Sequence, residues 1–311
     1  MKALVAGGAG FIGSHLIDAL LEEGHDVVCI DNYFIGTKEN LRHLAQAENF
    51  RMYEQDLCDL EALQRVFQTE RFDYVFHLAA NSDIQASASD PMVEYRNTYT
   101  TTFHLLECMR LYGVKKCFFA STSAVYGEKM GRQVTEKGVS LEPVSYYGGC
   151  KLGAEGILSA YTYMNDMQTL IFRFPNVIGP RLTHGVIFDF VKRLKQDSSS
   201  LRILGDGTQC KPYLYVEDLV RAIMQLKETG RQGVSLYNVG VESQTSVTRI
   251  ADLVCEQMGL SGIPYAYTGG RGGWKGDVPQ FQYSLAKIHA TGWRAAYTSD
   301  EAVALTVKHA L

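Results

Sequence analysis

The chain lacks long apolar segments and dense clusters of one charge. Its 311 residues include 30 Lys and Arg and 34 Asp and Glu, which give a net charge of -4 and a pI near 6.1. Because the basic residues are scattered, we expect no surface for nucleic acid. No apolar stretch approaches the roughly 18 residues that span a bilayer, and strand-like sequence from Lys2 leaves no room for a signal peptide. The sequence therefore predicts a cytoplasmic protein without nucleic-acid or membrane partners.

Cysteines are also few, and their spacing fits neither a disulfide framework nor a zinc site. Their number, seven, is odd; they form no CxxC pair and mostly lie within apolar runs. We therefore expect buried thiols, no disulfides and no metal site. The cysteines are Cys29, Cys58, Cys108, Cys117, Cys150, Cys210 and Cys255.

What the chain does contain is an alternation of strand-like and helix-like segments in its first half. This alternation favours an α/β fold with a Rossmann-type, doubly wound parallel sheet that is covered by helices. At this length the chain can also hold a second, smaller domain. Strands are predicted near Phe50–Gln55, Tyr74–Leu78, Lys116–Ser121 and Thr169–Phe174, and helices near Leu60–Phe67, Val93–Tyr112 and Ser145–Met164.

The pattern becomes less regular after Phe174, where prolines, a polar break and a glycine-rich loop at 269–273 occur. We expect this half to form a smaller C-terminal α/β substrate domain, with residues near 215–238 returning to the sheet. Helices are predicted to begin near Gly185, Glu217, Ser246 and Ser299, with Ser246 and Ser299 as N-caps.

The first thirty-one residues have the pattern of a dinucleotide-binding βαβ unit. Glycines without a Cβ allow a tight turn, let backbone N–H groups approach a pyrophosphate, and let the helix from Phe11 pack closely on the first strand. Asp31 ends the next strand-like run, where a carboxylate accepts hydrogen bonds from the adenosine ribose and repels the 2′-phosphate of NADP. The sequence therefore predicts NAD as the cofactor. The glycines are Gly7, Gly8, Gly10 and Gly13.

Tyr147 and Lys151 are four residues apart and share one face of a predicted helix. An isolated phenol titrates near pH 10, so a tyrosine base at neutral pH needs its pKa lowered by about three units, or about 4 kcal/mol. The ammonium and an oxidised nicotinamide can both contribute to that energy. A hydroxyl from Ser121, Thr122 or Ser123, at the end of the fifth strand, can pass the proton on. The alternative is that these hydroxyls only cap a turn.

Nine ordered motifs resemble the extended short-chain dehydrogenase/reductase family, and specifically its NAD-dependent nucleotide-sugar epimerases. The likeness runs nearly end to end. The motifs are Gly7-x-x-Gly10-x-x-Gly13, Asp31-Asn32, Asp56-Leu57, His77-Leu78-Ala79-Ala80, Asn97, Ser121-Thr122-x-x-Val125-Tyr126-Gly127, Tyr147-x-x-x-Lys151, Arg173-x-x-Asn176-x-x-Gly179-Pro180-Arg181 and Gly205-Asp206-Gly207.

The resemblance implies a role for each matching residue. The catalytic residues would be Thr122, Tyr147 and Lys151. The NAD-binding residues would be Gly7, Gly10, Phe11, Ile12, Gly13, Asp31, Asn32, Asp56, Leu57, Leu78, Ala79, Ala80, Asn97, Tyr147, Lys151 and Pro175. The substrate-binding residues would be Ser82, Thr122, Tyr147, Asn176, Val186, Ile187, Lys211, Arg271 and Asp277. Two alternatives stay open: Asp56 caps the following helix, and Leu78–Ala80 belong to a core strand.

The family likeness also implies two domains with different binding functions. Residues 1–174 and 213–240 would form the NAD-binding Rossmann domain. Residues 175–212 and 241–311 would form the nucleotide-sugar-binding domain. The long segments Val93–Tyr112 and Ser145–Met164 resemble the two helices that pair across the dimer in this family, which implies a homodimer, although their outer apolar residues could equally belong to the core.

Departures from the family pattern reduce the number of reactions that the chain is expected to catalyse. Related dehydratases carry two acids, and decarboxylases one, where this chain has Ser123 and Ala124, so both reactions lack their proton donor. Lys211 and Pro212 replace an Arg-Asp pair, which removes a bidentate grip on a diphosphate. Arg271, followed by Asp277, is the best remaining candidate for that contact. Ser82 stands where a lysine sometimes faces the sugar.

The resulting hypothesis is C4 epimerisation of a nucleotide-bound hexose, UDP-glucose and UDP-galactose or a close analogue, through a 4-keto intermediate. Tyr147 would remove the C4 hydroxyl proton while NAD accepts the hydride, and the sugar would turn before the hydride returns. Two alternatives remain open. One is a nucleotide-sugar dehydratase or C4 reductase on the same fold, and the other is a non-catalytic NAD-sensing protein.

Overall fold

The computed structural model describes residues 1–82, 84, 86–129, 133–229, 232–270, 272, 273, 276, 278, 280 and 282–311. These residues group into two compact units, each made of several chain segments. The first unit comprises Met1–Val125, Ser145–Arg173 and Val220–Tyr237, and the second comprises Tyr126–Val144, Phe174–Leu219 and Asn238–Leu311.

A seven-stranded parallel sheet forms the centre of the first unit, so the predicted Rossmann-type fold is confirmed. Its strands lie in the order β7-β6-β5-β4-β1-β2-β3. The chain leaves β1 toward β2 and β3, then crosses back to place β4 on the other side of β1. Ligands of such sheets bind where this reversal separates the carboxyl ends of neighbouring strands. The strands are β1 Lys2–Ala6, β2 Asp26–Asp31, β3 Phe50–Glu54, β4 Tyr74–His77, β5 Lys116–Thr122, β6 Gln168–Phe174 and β7 Gly233–Asn238.

Helices flank the sheet and seal an apolar core. Leu63 and Phe67 from one helix, Leu106 from a second and Leu158 from a third are buried in one cluster with strand residues such as Phe119. The main helices are α1 Phe11–Glu22, α2 Leu60–Glu70, α3 Thr101–Tyr112 and α4 Tyr146–Met164, with Ser145 as the N-cap of α4. Val216–Leu226 forms a further helix, whose residues from Val220 onward belong to the first unit.

The segment predicted as one helix from Val93 to Tyr112 is divided. A helical turn, Met92–Glu94, leads into a π-helix, Tyr95–Thr100, and only then into α3. Threonine hydroxyls stabilise the wider turns, because Thr101 Oγ1 donates to the Asn97 carbonyl at 2.9 Å and Thr102 Oγ1 donates to the Thr98 carbonyl at 2.6 Å. Hydrophobic spacing alone carries no information about this change of helix type.

The second unit has short strand pairs and its own core. Ile187, Phe190, Leu201, Ile250 and Val303 belong to that core. Asn176–Ile178 pairs in parallel with Tyr213–Tyr215, and Cys210–Lys211 pairs antiparallel with Thr245–Ser246. The other strand pairs are Leu201–Ile203 with Tyr265–Tyr267 and Gln133–Val134 with Gln282–Tyr283. The helices are Val186–Gln196, Val247–Gln257, Ala286–His289 and Ser299–Ala310.

Of the two predicted N-caps, Ser246 is confirmed and Ser299 is wrong. The Ser246 side chain accepts a hydrogen bond from the Arg249 backbone N–H. The last helix is capped instead by Thr298, which forms a capping box with Glu301. The Ser299 hydroxyl is directed inward, where it accepts a hydrogen bond from the Tyr213 N–H at 3.0 Å.

Four of the seven cysteines are buried and three are half-buried, and all are free thiols. Within the described ranges, no His, Cys, Asp or Glu side chains cluster in a way that would hold a metal ion. None of the helices in that same part of the chain combines the length and apolarity needed to cross a bilayer.

Candidate active site

The loop after β1 forms the first part of the site. Gly7 has a φ of +82°, and a Cβ placed on it would lie 2.5 Å from the Ala79 backbone N. Only glycine permits this close approach of the loop to the chain after β4. The structure thereby brings Gly7 together with Leu78 and Ala79, at the reversal point of the sheet.

The same loop leads directly into α1. Gly10 is the N-cap of α1 and has no side chain that could accept a hydrogen bond from the first turn. The backbone N–H groups of that turn, beginning with Phe11 and Ile12, are therefore available to bind an anion. A Cβ on Gly13 would lie 2.3 Å from the Gly7 carbonyl oxygen, which explains why the helix can lie so close to the loop. This glycine cradle fits a pyrophosphate.

Asp31 lies at the end of β2 with only 9% of its surface exposed. Its carboxylate accepts hydrogen bonds from the Ala9 N–H at 3.0 Å and the Tyr33 N–H at 2.8 Å. Burial raises the pKa of this carboxyl, although the two N–H donors oppose that effect. The side chain is therefore tied to the glycine loop itself, at the position expected for a ribose contact.

The remaining predicted cofactor residues differ in exposure. Leu78, Ala79 and Ala80 follow β4 and are half-buried, so they are not part of a core strand. Leu57, in contrast, is buried in the core of the unit. Asp56 does not cap α2, because Asp59 does so. Asn32 is exposed, Asn97 is half-buried, and Pro175 is buried in the second unit.

Three side chains meet where β5 ends and α4 begins. Thr122 is the last residue of β5, and its hydroxyl lowers the pKa of the Tyr147 phenol. Lys151, one helical turn after Tyr147, is 2% exposed. Its ammonium donates to the Ala120 carbonyl at 2.6 Å and lies 4.6 Å from the centre of the Phe119 ring. The predicted trio is thus assembled within a single unit.

The protein's own charges do not acidify the phenol. Burial raises the pKa of Tyr147, the charge of Glu94 raises it further, and only the Thr122 hydroxyl lowers it. Burial lowers the pKa of Lys151 to about 8, while Glu94 and Glu155 act in the opposite direction. The expected fall in the phenol pKa therefore requires a further positive charge.

Two buried carboxylates near Lys151 were missed by the sequence analysis. Glu94 is fully buried at the start of the π-helix. Glu155 is also buried. Its carboxylate accepts hydrogen bonds from Arg173 Nε at 2.9 Å and from a second guanidinium nitrogen of Arg173 at 2.5 Å, and another from the Ser121 hydroxyl. Spacing could have indicated Glu155, because Tyr147, Lys151 and Glu155 recur every four residues on one helix face.

The predicted substrate residues lie in both units. Ser82 is exposed in the first unit. In the second unit Asn176 is exposed and Lys211 is half-buried on a short strand. Val186 is half-buried and packs against the core that contains Ile187, so the Ile187 side chain is occupied by packing. Arg271 and Asp277 lie outside the described residues.

Asp31 provides a test of the cofactor preference. We expect the protein to bind NAD at least about 100-fold more tightly than NADP, because a buried carboxylate repels a 2′-phosphate. Asp31→Asn should reduce this preference by about tenfold or more, which corresponds to about 1.4 kcal/mol. Isothermal titration calorimetry with both cofactors measures the ratio.

Glu54→Gln is a matched control, because Glu54 lies opposite Asp31 in the sheet register but is exposed and pairs with Lys38. This variant should keep the preference. An Asp31→Asn protein that still rejects NADP as strongly as the parent does would refute the role of Asp31.

Comparison with known proteins agrees with this geometry. A model of the NAD dependent epimerase/dehydratase family matches residues 3–240. A putative UDP-glucose 4-epimerase of Methanocaldococcus jannaschii is 30% identical over 305 residues, covering 96% of this chain and 95% of the relative.

Two solved structures are also similar. A UDP-glucose 4-epimerase of Thermotoga maritima with UDP-glucose superposes with a TM-score of 0.89 at 34% identity, over 99% of this chain and 98% of the other. A Thermus thermophilus UDP-glucose 4-epimerase in complex with NAD gives 0.88 at 32% identity, over 100% and 99% of the two chains. The chain belongs to the NAD-dependent epimerase/dehydratase family, and its cofactor is NAD.

Proposed function

We propose that the protein is a 4-epimerase of a nucleotide-bound hexose, with UDP-glucose and UDP-galactose or a close analogue as substrates. The observation that carries this proposal is that Thr122 ends β5 where α4 begins with Tyr147 and with Lys151, whose buried ammonium donates to the Ala120 carbonyl. This arrangement suits reversible proton exchange with a sugar hydroxyl. The UDP-glucose 4-epimerases to which the chain is similar support the choice of substrate.

NAD would be held by the glycine cradle at Gly7, Gly10 and Gly13 and by Asp31. When bound, it supplies a reversible two-electron acceptor and a positively charged nicotinamide. The positive charge is what the phenol still lacks, because the chain's own residues keep the pKa of Tyr147 raised. Binding of NAD would therefore lower the pKa of Tyr147 and prepare this side chain as the base.

The chain's residues then divide the proton chemistry. Tyr147 accepts the proton of the C4 hydroxyl. Thr122 forms a hydrogen bond with the same hydroxyl and orients it. Lys151 keeps a buried ammonium one helical turn after Tyr147, donating to the Ala120 carbonyl. In the second half of the reaction Tyr147 returns the proton to the C4 oxygen of the 4-keto sugar. The residues therefore end each turnover in their starting protonation states.

Epimerisation is favoured over dehydration because the turn after β5, Ser123–Tyr126, carries Ser123 and Ala124 where an eliminating enzyme needs acids. Glu94 cannot serve as that acid, because it is fully buried and hydrogen-bonded by Asn81 and Thr98. A C4 reductase would consume its cofactor stoichiometrically. A non-catalytic sensor would not need the trio of Thr122, Tyr147 and Lys151.

The nucleotide end of the substrate is assigned to the second unit. We propose Asn176 and Lys211 as contacts to the diphosphate, with Val186 near the base and Ser82 near the sugar. Arg271 and Asp277 remain candidates on sequence grounds alone. Residues 1–174 with 213–240 for NAD, and 175–212 with 241–311 for the nucleotide sugar, remain the proposed division of function.

A homodimer is also proposed, through one face of α4 and the helices before it. Tyr95 and Phe103 are 49% and 40% exposed. Adjacent small residues on α4 leave backbone uncovered; they are Gly149, Gly153, Gly156 and Ala160. Exposed aromatic residues beside a row of glycines allow close packing against a second copy.

Incubation with a panel of nucleotide sugars tests the activity. Purified protein with NAD should interconvert UDP-glucose and UDP-galactose, or the N-acetyl or uronic-acid pair, with no net NADH and no loss of water. Tyr147→Phe should reduce the rate by about a hundredfold or more, because it removes a general base. Chromatography and mass spectrometry follow the products.

Tyr146→Phe is the control, because Tyr146 is the exposed neighbour of Tyr147 on the same helix. It should leave the rate near that of the parent. Loss of a water from the product mass would assign a dehydratase, and stoichiometric cofactor consumption a reductase; either result would replace the epimerase proposal.

The dimer is tested at Gly156, where a Cβ would meet no atom of the same chain within 4 Å. Gly156→Leu should therefore fold, with improved helix propensity, yet give monomers by light scattering. Arg65→Leu, on the exposed surface of α2, should leave the dimer intact. Persistence of the dimer in Gly156→Leu would show that this face is not the interface.

A further inference from the structure

Arg173, near the end of β6, is a buried cation that the proposed chemistry does not use. Its Nε and Nη2 atoms donate to the two oxygens of Glu155 at 2.9 and 2.5 Å, which is the parallel geometry of a bidentate ion pair. Glu155 is also buried and lies on α4. The ion pair therefore joins α4 to the sheet inside the first unit.

The same carboxylate also binds the neighbouring strand. The Ser121 hydroxyl of β5 donates to Glu155 Oε1, the oxygen that accepts the hydrogen bond of Arg173 Nε. Because β5 and β6 are adjacent in the sheet, one carboxylate connects α4 to two strands. Ser121 is fully buried, so we assign its hydroxyl to the packing of α4 and not to the substrate.

This connection lies next to the hydrogen bond of Lys151. Lys151 Nζ donates at 2.6 Å to the carbonyl of Ala120, the residue before Ser121 on β5. Glu155 lies one helical turn, or about 6 Å, beyond Lys151 on α4. Two adjacent strand residues are therefore bound by two helix residues one turn apart. A helix that is held at both points cannot slide along β5 without breaking one of these contacts.

The gain from this ion pair lies in position more than in stability. Taking two ions out of water costs free energy, and a buried ion pair often contributes no more stability than apolar side chains of similar volume. A bidentate pair does fix a distance and a direction, because two N–H bonds of one planar guanidinium must point to one carboxylate.

We propose that Arg173, Glu155 and Ser121 are positioning residues: they fix α4 against the end of β5 and thereby hold the Lys151 ammonium on the Ala120 carbonyl. Tyr147, one turn before Lys151 on the same helix, is positioned with it. The inference rests on the proposed function only in taking Tyr147 and Lys151 as the working pair.

The far end of α4 provides a matched control. Thr162 on α4 and Thr169 on β6 are both buried, and their hydroxyl oxygens are 2.6 Å apart. This hydrogen bond joins the same helix to the same strand, but Thr162 lies about three helical turns, or about 16 Å, beyond Lys151. Thr169→Val therefore removes a buried contact between the same two elements, at a distance from Lys151.

The ¹³C signal of the Ala120 carbonyl in NAD-free protein reports the hydrogen bond of Lys151. The Lys151-dependent shift is the difference between a protein and the same protein with Lys151→Met, so that direct effects of a second substitution on the signal cancel. Arg173→Lys keeps the charge but loses the bidentate geometry. It should reduce the Lys151-dependent shift by about half or more, because hydrogen bonds weaken steeply with poor distance and angle.

Ser121→Ala is a second test that leaves both charges of the ion pair in place. It removes the link to β5 and should also reduce the Lys151-dependent shift. Both variants should lower kcat by about tenfold, with KM within about twofold of the parent, because a misplaced base slows the chemical step. Thr169→Val should change neither the shift nor kcat, although it lowers the melting temperature.

A purely structural role for the three residues predicts another pattern. All three variants would lower the melting temperature, and the Lys151-dependent shift would stay at the parent value in each. That result would overturn the proposal, and so would an equal loss of the shift in Thr169→Val. Because the shift is measured without substrate, absence of epimerase activity would contradict the proposed function and leave the positioning result standing.

Discussion

The site depends on an ammonium that is held out of water. Lys151 is almost completely buried, donates to the Ala120 carbonyl and lies against the Phe119 ring. Burial lowers its pKa to about 8, so the ammonium is the major form at neutral pH but by a modest margin. The charges of Glu94 and Glu155 oppose the effect of burial and favour the ammonium form.

The fold explains why these groups meet. β5 ends at Thr122 and α4 begins after Ser145, and both lie on the carboxyl side of the parallel sheet where ligands bind. The glycine loop after β1 approaches the chain after β4 so closely that a side chain at Gly7 would collide with backbone. Asp31 and Thr122 are therefore placed by strand ends, and Tyr147 and Lys151 by the start of α4.

Much of this was predictable from the sequence. The parallel sheet follows from alternating apolar segments, and the glycine loop and Asp31 follow from spacing, because backbone geometry leaves few residue types that fit there. The Tyr147–Lys151 pair follows from helical periodicity. Each of these features is local in the chain, so a short window of sequence contains the whole pattern.

The rest depends on contacts between distant segments. Asn81 meets Glu94, and Arg173 meets Glu155, through tertiary packing that no local pattern records. The π-helix at Tyr95–Thr100 changes which residues face inward, so the buried position of Glu94 and Thr98 was not evident. Ser299 was mistaken for an N-cap because Thr298, its neighbour, has the same chemistry. The raised pKa of Tyr147 likewise results from burial and a remote carboxylate.

The chain's own residues keep the pKa of Tyr147 raised, and we propose that the positive charge of NAD prepares this tyrosine as a base. The most direct test is to titrate Tyr147 by ¹³C NMR with and without bound NAD. We expect a pKa that is raised above the usual value in the free protein and that falls by about two units or more when NAD binds. The same pKa in both states would contradict it.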